Sequence, residues 1–170
     1  MKIINLNPNQ IITLNDFPIY SEQALKQYFE AYRKSNETEI PFCPVIPREI
    51  VVQYLDKELI RKYKEFEEHH QESEYFLLDG THRTTAATLT NSLIRAIVFT
   101  KDREIEEAKK LIEKGELLYN KVIKKNLREN CIILNNHFTK EPNFQTVKEK
   151  TKRMIEGKKI PEYMGSYCRT

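Results

Sequence analysis

The segment that most constrains the fold is an apolar run at residues 75–78, followed directly by Asp79-Gly80 and a threonine-rich stretch. A short run this apolar predicts a strand buried on both faces. Gly80 tolerates the backbone angles of a tight turn. Residues 84–89 then read as a short helix, with Thr81 or Thr84 as its N-cap. The predicted order is strand, turn, polar triplet and helix start.

A turn of this kind creates a place for an anion. The first N–H groups of a helix have no intrahelical acceptor, and the helix dipole draws negative charge towards them. The guanidinium of Arg83 adds a fork of donors that suits phosphate. The alternative is that His82 and Arg83 only cap the helix and brace the strand end. We expect this turn to bind a nucleotide phosphate through Gly80, Thr81, His82, Arg83, Thr84 and Thr85.

Residues 79–87, Asp-Gly-Thr-His-Arg-Thr-Thr-Ala-Ala, resemble the DGxHRxxAA segment of the ParB/sulfiredoxin-like superfamily. The sequence of this loop is most similar to that of the free serine kinases, which have Asp-Gly-His-His-Arg there. The resemblance extends over residues 2–99. It implies an α/β (or α+β) fold with a small mixed β-sheet and flanking helices. It also implies a nucleotide: ATP in sulfiredoxin, ADP or ATP in the serine kinases, and CTP in ParB.

Two carboxylates are candidates for catalysis. Asp79 either closes an Asx-type turn or orients a substrate hydroxyl or a metal ion, and the serine-kinase resemblance gives this position an active-site role. That resemblance also implies a glutamate base between the first strand and the first helix, where Glu22 stands, with Asp16 as a competitor. The helix dipole alone would favour an acid at Glu22. We expect Mg²⁺ to bridge the phosphates, since phosphoryl transfer needs that charge neutralised.

Three classes of function follow. The first is a phosphotransferase that uses the nucleotide on a small hydroxyl-bearing substrate. The second is a non-catalytic, nucleotide-responsive or DNA-binding module, as ParB is, and the third is a ParB-like nuclease. Thr81 stands where sulfiredoxin has its cysteine, which argues against sulfinic-acid reduction. The net charge of +3, spread over interleaved acids and bases, does not indicate a nucleic-acid partner.

Patterns elsewhere predict the remaining elements. Apolar runs indicate strands at 2–6, 11–14, 44–46 and 93–99, with the third at an edge or interrupted because of its prolines. Helical spacing predicts helices at 22–33 with Ser21 as N-cap, 48–70, 103–114 with Asp102 as N-cap, 116–130, and from Asn143 or Thr146 to about 157. Helix and strand stay open for 131–134.

These patterns suggest a domain over residues 1–100 with a helical insertion at 48–70, and a helical C-terminal extension, 101–170, packed on it. The insertion would cover a sheet face, close over the site or form a partner surface. The basic runs 121–128 and 148–153 and the pair His69-His70 are expected to be solvated. Three well-separated cysteines, with no apolar run long enough for a membrane span, predict free thiols in a reducing cytoplasm.

Overall fold

The structure is a computed structural model that describes residues 1–14, 22–117 and 123–168. Six strands and eight α-helices lie in these ranges. The strands are β1 (Lys2–Leu6), β2 (Ile11–Thr13), β3 (Cys43–Pro47), β4 (Tyr75–Leu77), β5 (Ile94–Val98) and β6 (Gln145–Thr146). The helices are α1 (Glu22–Arg33), α2 (Arg48–Val51), α3 (Lys57–His69), α4 (Thr81–Leu89), α5 (Asp102–Glu113), α6 (Leu127–Lys140), α7 (Val147–Glu156) and α8 (Glu162–Tyr167).

The strands form one mixed sheet in the order β1-β5-β3-β4-β2-β6. Two neighbouring pairs are parallel, β2 with β4 and β3 with β5, and the other pairs are antiparallel. Parallel neighbours end at the same edge of a sheet, so β2 and β4 both end where β3 begins. The prediction of an α/β chain with a mixed sheet and flanking helices is confirmed.

Helices cover both faces of the sheet because its strands are apolar on both sides. One face carries α1, α4, α7 and α8 over residues such as Ile11 and Leu77. The other face carries α2, α3, α5 and α6 over residues such as Ile12 and Phe76. Successive strand residues point to opposite faces, which explains how neighbours in β2 and β4 join different cores.

The segment 48–70 is not the single helix that its apolar spacing predicts. A 3-10 turn at Val52–Tyr54 follows α2, and Leu55 and Asp56 are extended before α3 begins. Asn135 of α6 stabilises this break, because its side chain accepts the Asp56 N–H at 2.8 Å and donates to the Asp56 carboxylate at 3.2 Å. Of the three expected roles for the insertion, the structure shows the first, since α2 and α3 cover the face opposite α4.

β3 lies inside the sheet, between β5 and β4, so the prediction of an edge or interrupted strand is wrong. Pro44 and Pro47 stand an odd number of residues apart. The two positions that lack an N–H therefore face opposite neighbouring strands, so each neighbouring strand loses only one hydrogen-bond donor. The Pro44 carbonyl still accepts the Leu78 N–H at 2.9 Å.

The C-terminal third differs from its predicted boundaries in three places. α5 has Lys101 as its N-cap, and the Asp102 carboxylate instead accepts the Leu127 N–H at 2.7 Å. The helix predicted over 116–130 starts only at Leu127, and 118–122 lie outside the described residues. The undecided segment 131–134 is helical, within α6. β6 was not predicted, and its pairing with β2 joins this third of the chain to the same sheet.

Other predictions hold. Gly115, with a φ of +73°, follows the end of α5, and Thr146 is the N-cap of α7. The tail returns to the fold through α8, whose Tyr163 and Tyr167 contact the Phe29 ring edge-to-face. The three cysteines are free thiols. Ser21 and Asp16 lie outside the described residues. Within the described ranges, no helix is both long and apolar enough to cross a bilayer.

Candidate phosphate-binding site at the β4–α4 corner

The turn from β4 into α4, here called the β4–α4 corner, consists of Asp79, Gly80 and the first turn of α4. Gly80 is the N-cap, in place of the predicted Thr81 or Thr84. Its φ of +109° is one that residues with a Cβ rarely adopt. A Cβ at this position would also stand 2.8 Å from the Cys43 sulfur. Glycine is required here on both counts, and it leaves the first-turn amides without a side-chain cap.

Arg83 points into the protein. Its side chain is 2% exposed, and one guanidinium nitrogen donates to the carbonyls of Pro41 and Phe42. The other terminal nitrogen donates to the Asp79 carboxylate at 2.6 Å. These bonds join the loop before β3 to the corner. The expectation that Arg83 offers its fork of donors to a ligand therefore finds no support, and the alternative of a brace describes its contacts.

Thr84 and Thr85 are also turned inward. Both are fully buried, and both hydroxyls donate to the Thr81 carbonyl, at 3.1 and 2.8 Å. Threonine hydroxyls commonly bond back to the preceding helical turn in this way. These two side chains are thus committed within α4, although both residues were expected to hold phosphate.

His82 and the main chain remain as candidate ligand-binding groups of the corner. The amides of Thr81, His82 and Arg83 belong to the first turn, where helix geometry supplies no acceptor. The His82 ring is half-buried. Burial lowers the pKa of His82 below its ordinary value, and the charges of Lys150 and Arg83 lower it further against the opposing effect of Asp79. His82 is therefore neutral near pH 7 and can donate or accept a hydrogen bond.

Lys150 of α7 is a site residue that the sequence analysis missed. It belongs to a basic run expected to be solvated, yet its side chain is 0% exposed. It stands on α7, which packs against α4, and its charge lowers the pKa of His82. The apolar neighbours Val147 and Met154, which are also buried, carry the signal that could have revealed it. Lys150 shares their helical face at spacings of three and four residues.

Thr13 brings β2 to the same place. It ends a strand that lies parallel to β4, so it stands at the sheet edge where the corner begins. Its side chain alternates with Ile12 and thus points to the α4 side of the sheet, as Ile11 does. Thr13 is 0% exposed, and its hydroxyl has no hydrogen-bond partner within residues 1–14, 22–117 and 123–168. A buried hydroxyl without a partner is uncommon and marks a position where a polar ligand would be stabilised.

The two predicted catalytic carboxylates are far apart. Asp79 stays at the corner, 19% exposed and bonded to Arg83. Tyr32 also lies near the corner, because Cys43 and Arg83 act electrostatically on its hydroxyl, whose pKa is raised mainly by burial. Glu22 precedes Tyr32 by nearly three helical turns, about 15 Å along α1. Its carboxylate contacts Lys26 at 3.1 Å.

Glu22 instead lines a cavity away from the corner, here called the α1–α8 cavity. This cavity of about 600 Å³ lies between the start of α1, the end of α7 and α8, with Ile155, Lys158, Pro161 and Gly165 among its walls. The structure therefore brings Asp79, His82, Lys150 and Thr13 together and leaves Glu22 elsewhere.

The described residues include no group of three or more His, Cys, Asp or Glu side chains that could hold a metal ion. No family model matches the chain. No curated protein and no solved structure matches it either. The fold and the geometry of the corner are therefore the observations on which an assignment of function must stand.

Proposed function

We propose that this protein binds the phosphate groups of a nucleotide at the β4–α4 corner, as the resemblance to the ParB/sulfiredoxin-like superfamily implies. The observation that carries the proposal is the convergence of three features at one sheet edge. The N-terminus of α4 follows β4 at that edge, and Thr13, whose hydroxyl has no partner among the described residues, ends the parallel neighbour β2. Lys150 is buried on α7, which packs against α4. Open α/β sheets in general bind ligands outside the carboxyl ends of their strands.

Each feature supplies a different part of phosphate recognition. The amides of Thr81, His82 and Arg83 donate along the helix axis, where the dipole favours an anion. The Lys150 ammonium supplies a compact positive charge, and the Thr13 hydroxyl donates to a phosphate oxygen. The Arg83 side chain does not touch the ligand in this proposal. It braces the corner, and its positive charge acts on the ligand from inside the protein.

The cofactor would be ATP or ADP, with CTP as the third candidate. Asp79 is the carboxylate that fits a divalent ion at this corner, since Mg²⁺ is commonly held by one carboxylate together with substrate phosphates. Bound Mg²⁺ would neutralise phosphate charge. The role of Asp79 in the protein itself is to orient Arg83, through the hydrogen bond of 2.6 Å.

Binding is better supported than phosphoryl transfer. Transfer to a hydroxyl needs a carboxylate within hydrogen-bond reach of the acceptor. Glu22 lies about 15 Å along α1 from the corner, and Asp79 is engaged with Arg83. A phosphotransferase stays the second candidate, because Asp79 is partly exposed beside the helix N-terminus. A DNA-binding module or nuclease has no specific observation in its favour.

Isothermal titration calorimetry with ATP, ADP and CTP, each with and without Mg²⁺, tests the proposal. We expect at least one nucleotide to bind with a Kd in the micromolar range and its nucleoside to bind far more weakly. Release of ADP from ATP in the presence of candidate hydroxyl compounds would favour the phosphotransferase. Equal binding of nucleotide and nucleoside, or binding of neither, would contradict the assignment to phosphate.

A further inference from the structure

His70 links the end of α3 to the first turn of α7. It follows α3, and its ring stacks on Phe66 with 4.1 Å between ring centroids and an angle of 9°. Its Nδ1 lies 2.8 Å from the Phe66 carbonyl oxygen. Its Nε2 lies 2.6 Å from Glu149 Oε1 of α7, 79 residues later in the chain. The ring is thus held at both nitrogens as well as on one face.

Both partners of the ring are acceptors. A backbone carbonyl can only accept, so Nδ1 carries a proton. An ionised carboxylate can also only accept, so Nε2 carries a proton too. A histidine that donates from both nitrogens is an imidazolium. The contacts therefore call for a charged His70 and an ionised Glu149, which is the arrangement of a charge-assisted hydrogen bond.

The Glu149 carboxylate forms hydrogen bonds with both His70 and Thr146. One oxygen receives His70, and the other accepts the Thr146 N–H at 2.9 Å and the Thr146 hydroxyl at 3.1 Å. Thr146 in turn accepts the Glu149 N–H, which completes a capping box at the start of α7. One side chain therefore ties the end of α3, on one face of the sheet, to the first turn of α7, on the other.

We propose that His70 is a proton-operated clasp, closed by protonation, that fastens the inserted helix α3 to the N-terminus of α7. The charged groups around the ring favour the closed form. Glu149 faces it from α7, and Glu72 acts on it from the loop after α3. Three further charged or titratable residues line the surface groove beside the ring: Lys62, Glu65 and His69.

The surroundings of His70 have opposing effects on its pKa. Burial alone would lower the pKa of His70, but the bonds to Phe66 and Glu149 and the charge of Glu72 raise it overall above its ordinary value. The pKa of Glu149 is lowered, since its bonds to Thr146 and His70 outweigh burial. The clasp is therefore closed between these two titrations and opens as pH rises through the pKa of His70.

The test uses Glu149→Gln and His70→Gln, with His69→Gln as the matched control. Glutamine preserves the capping box at residue 149 while removing the charge. Each test variant should lower the Tm of the full chain by about 2–4 °C at pH 6. The loss should shrink towards zero at pH 9, and the double variant should lose no more than either single one. His69→Gln should have no pH-dependent effect.

Nuclear magnetic resonance of the wild-type ring gives a second readout that needs no variant. The His70 ring protons should titrate above about 6.5, the value of an unperturbed histidine. In Glu149→Gln the His70 titration should move down towards that value. A wild-type His70 that titrates at or below it, or Tm differences that stay constant from pH 5 to 9, would show that the contact is not operated by a proton.

Discussion

The Arg83 guanidinium donates a hydrogen bond of 2.6 Å to the Asp79 carboxylate, four residues earlier in the chain. The sequence pattern presents these two residues as a ligand-binding cation and a catalytic acid. In the structure each is the partner of the other. Their contact joins the end of β4 to α4, and the bonds of Arg83 to the Pro41 and Phe42 carbonyls add the approach to β3. These hydrogen bonds therefore brace the corner from two sides.

Arg83→Lys should destabilise the protein although it keeps the charge. A lysine cannot reproduce the planar fork, so buried carbonyls and a carboxylate lose donors. We expect the free energy of unfolding, measured by urea denaturation, to fall by about 2 kcal/mol or more. Arg103→Lys is the matched control, because Arg103 also bonds an acid four residues away, at 2.9 Å, but is 85% exposed. It should change stability by less than about 0.5 kcal/mol.

Gly80→Ala tests the backbone of the corner. The left-handed φ costs about 1–2 kcal/mol for a residue with a Cβ, and the clash with Cys43 adds about 1–3 kcal/mol. Gly115→Ala provides the comparison, since its φ is +73° and nothing stands within 4 Å of the added Cβ. Thermal unfolding should show a clearly larger loss at Gly80. Equal losses would mean that Cys43 moves aside freely.

Two other histidines give the opposite pH dependence from His70. Burial lowers the pKa of both His82 and His137, aided at His82 by Lys150. Their contribution to stability is present above about pH 6.5, the unfolded value, and is lost as pH falls through the lower folded values. His137→Gln should therefore reduce the loss of Tm between pH 7 and 5. An unchanged slope would contradict a buried neutral ring.

Lys150→Met should weaken nucleotide binding without abolishing the fold. Loss of one charge-assisted contact to phosphate corresponds to about 10- to 100-fold in Kd. Lys152→Met is the matched control, two residues later on α7, where the side chain is 78% exposed and 4.0 Å from Glu156. Calorimetry should separate the two variants. A Kd for Lys150→Met within twofold of wild type would remove Lys150 from the site.

Local patterns predicted the elements whose signals lie within a few residues. The apolar run before Asp79 and the amphipathic α1 appear where expected, and Thr146, one of the two predicted N-caps, is the N-cap of α7. Each of these signals comes from residues that lie close together in the sequence. Such signals are strong enough to place strand, turn and helix in the right order around Gly80.

The errors come from contacts between residues far apart in sequence. Asn135 stabilises the break at Asp56 although it lies 79 residues later in the chain, and the residue type of Asp56, a common N-cap, is the one local sign of the break. Lys150 lies in a charged run, and the packing of α7 on other elements, α4 among them, accompanies its burial. The inward turn of Arg83 has the same origin. Its acceptors at Pro41 and Phe42 lie on a loop that the local motif does not include.

The most direct test of the central claim is a map of amide chemical shifts while phosphate, and then a nucleotide, is added to the ¹⁵N-labelled chain. The proposal predicts that the largest shifts occur at Thr81, His82 and Arg83, and that the pKa of His82 rises as negative charge arrives beside it. Shifts concentrated instead around Glu22 and Lys158, at the α1–α8 cavity, would contradict the proposal. A spectrum that does not change when phosphate and nucleotide are added would contradict it as well.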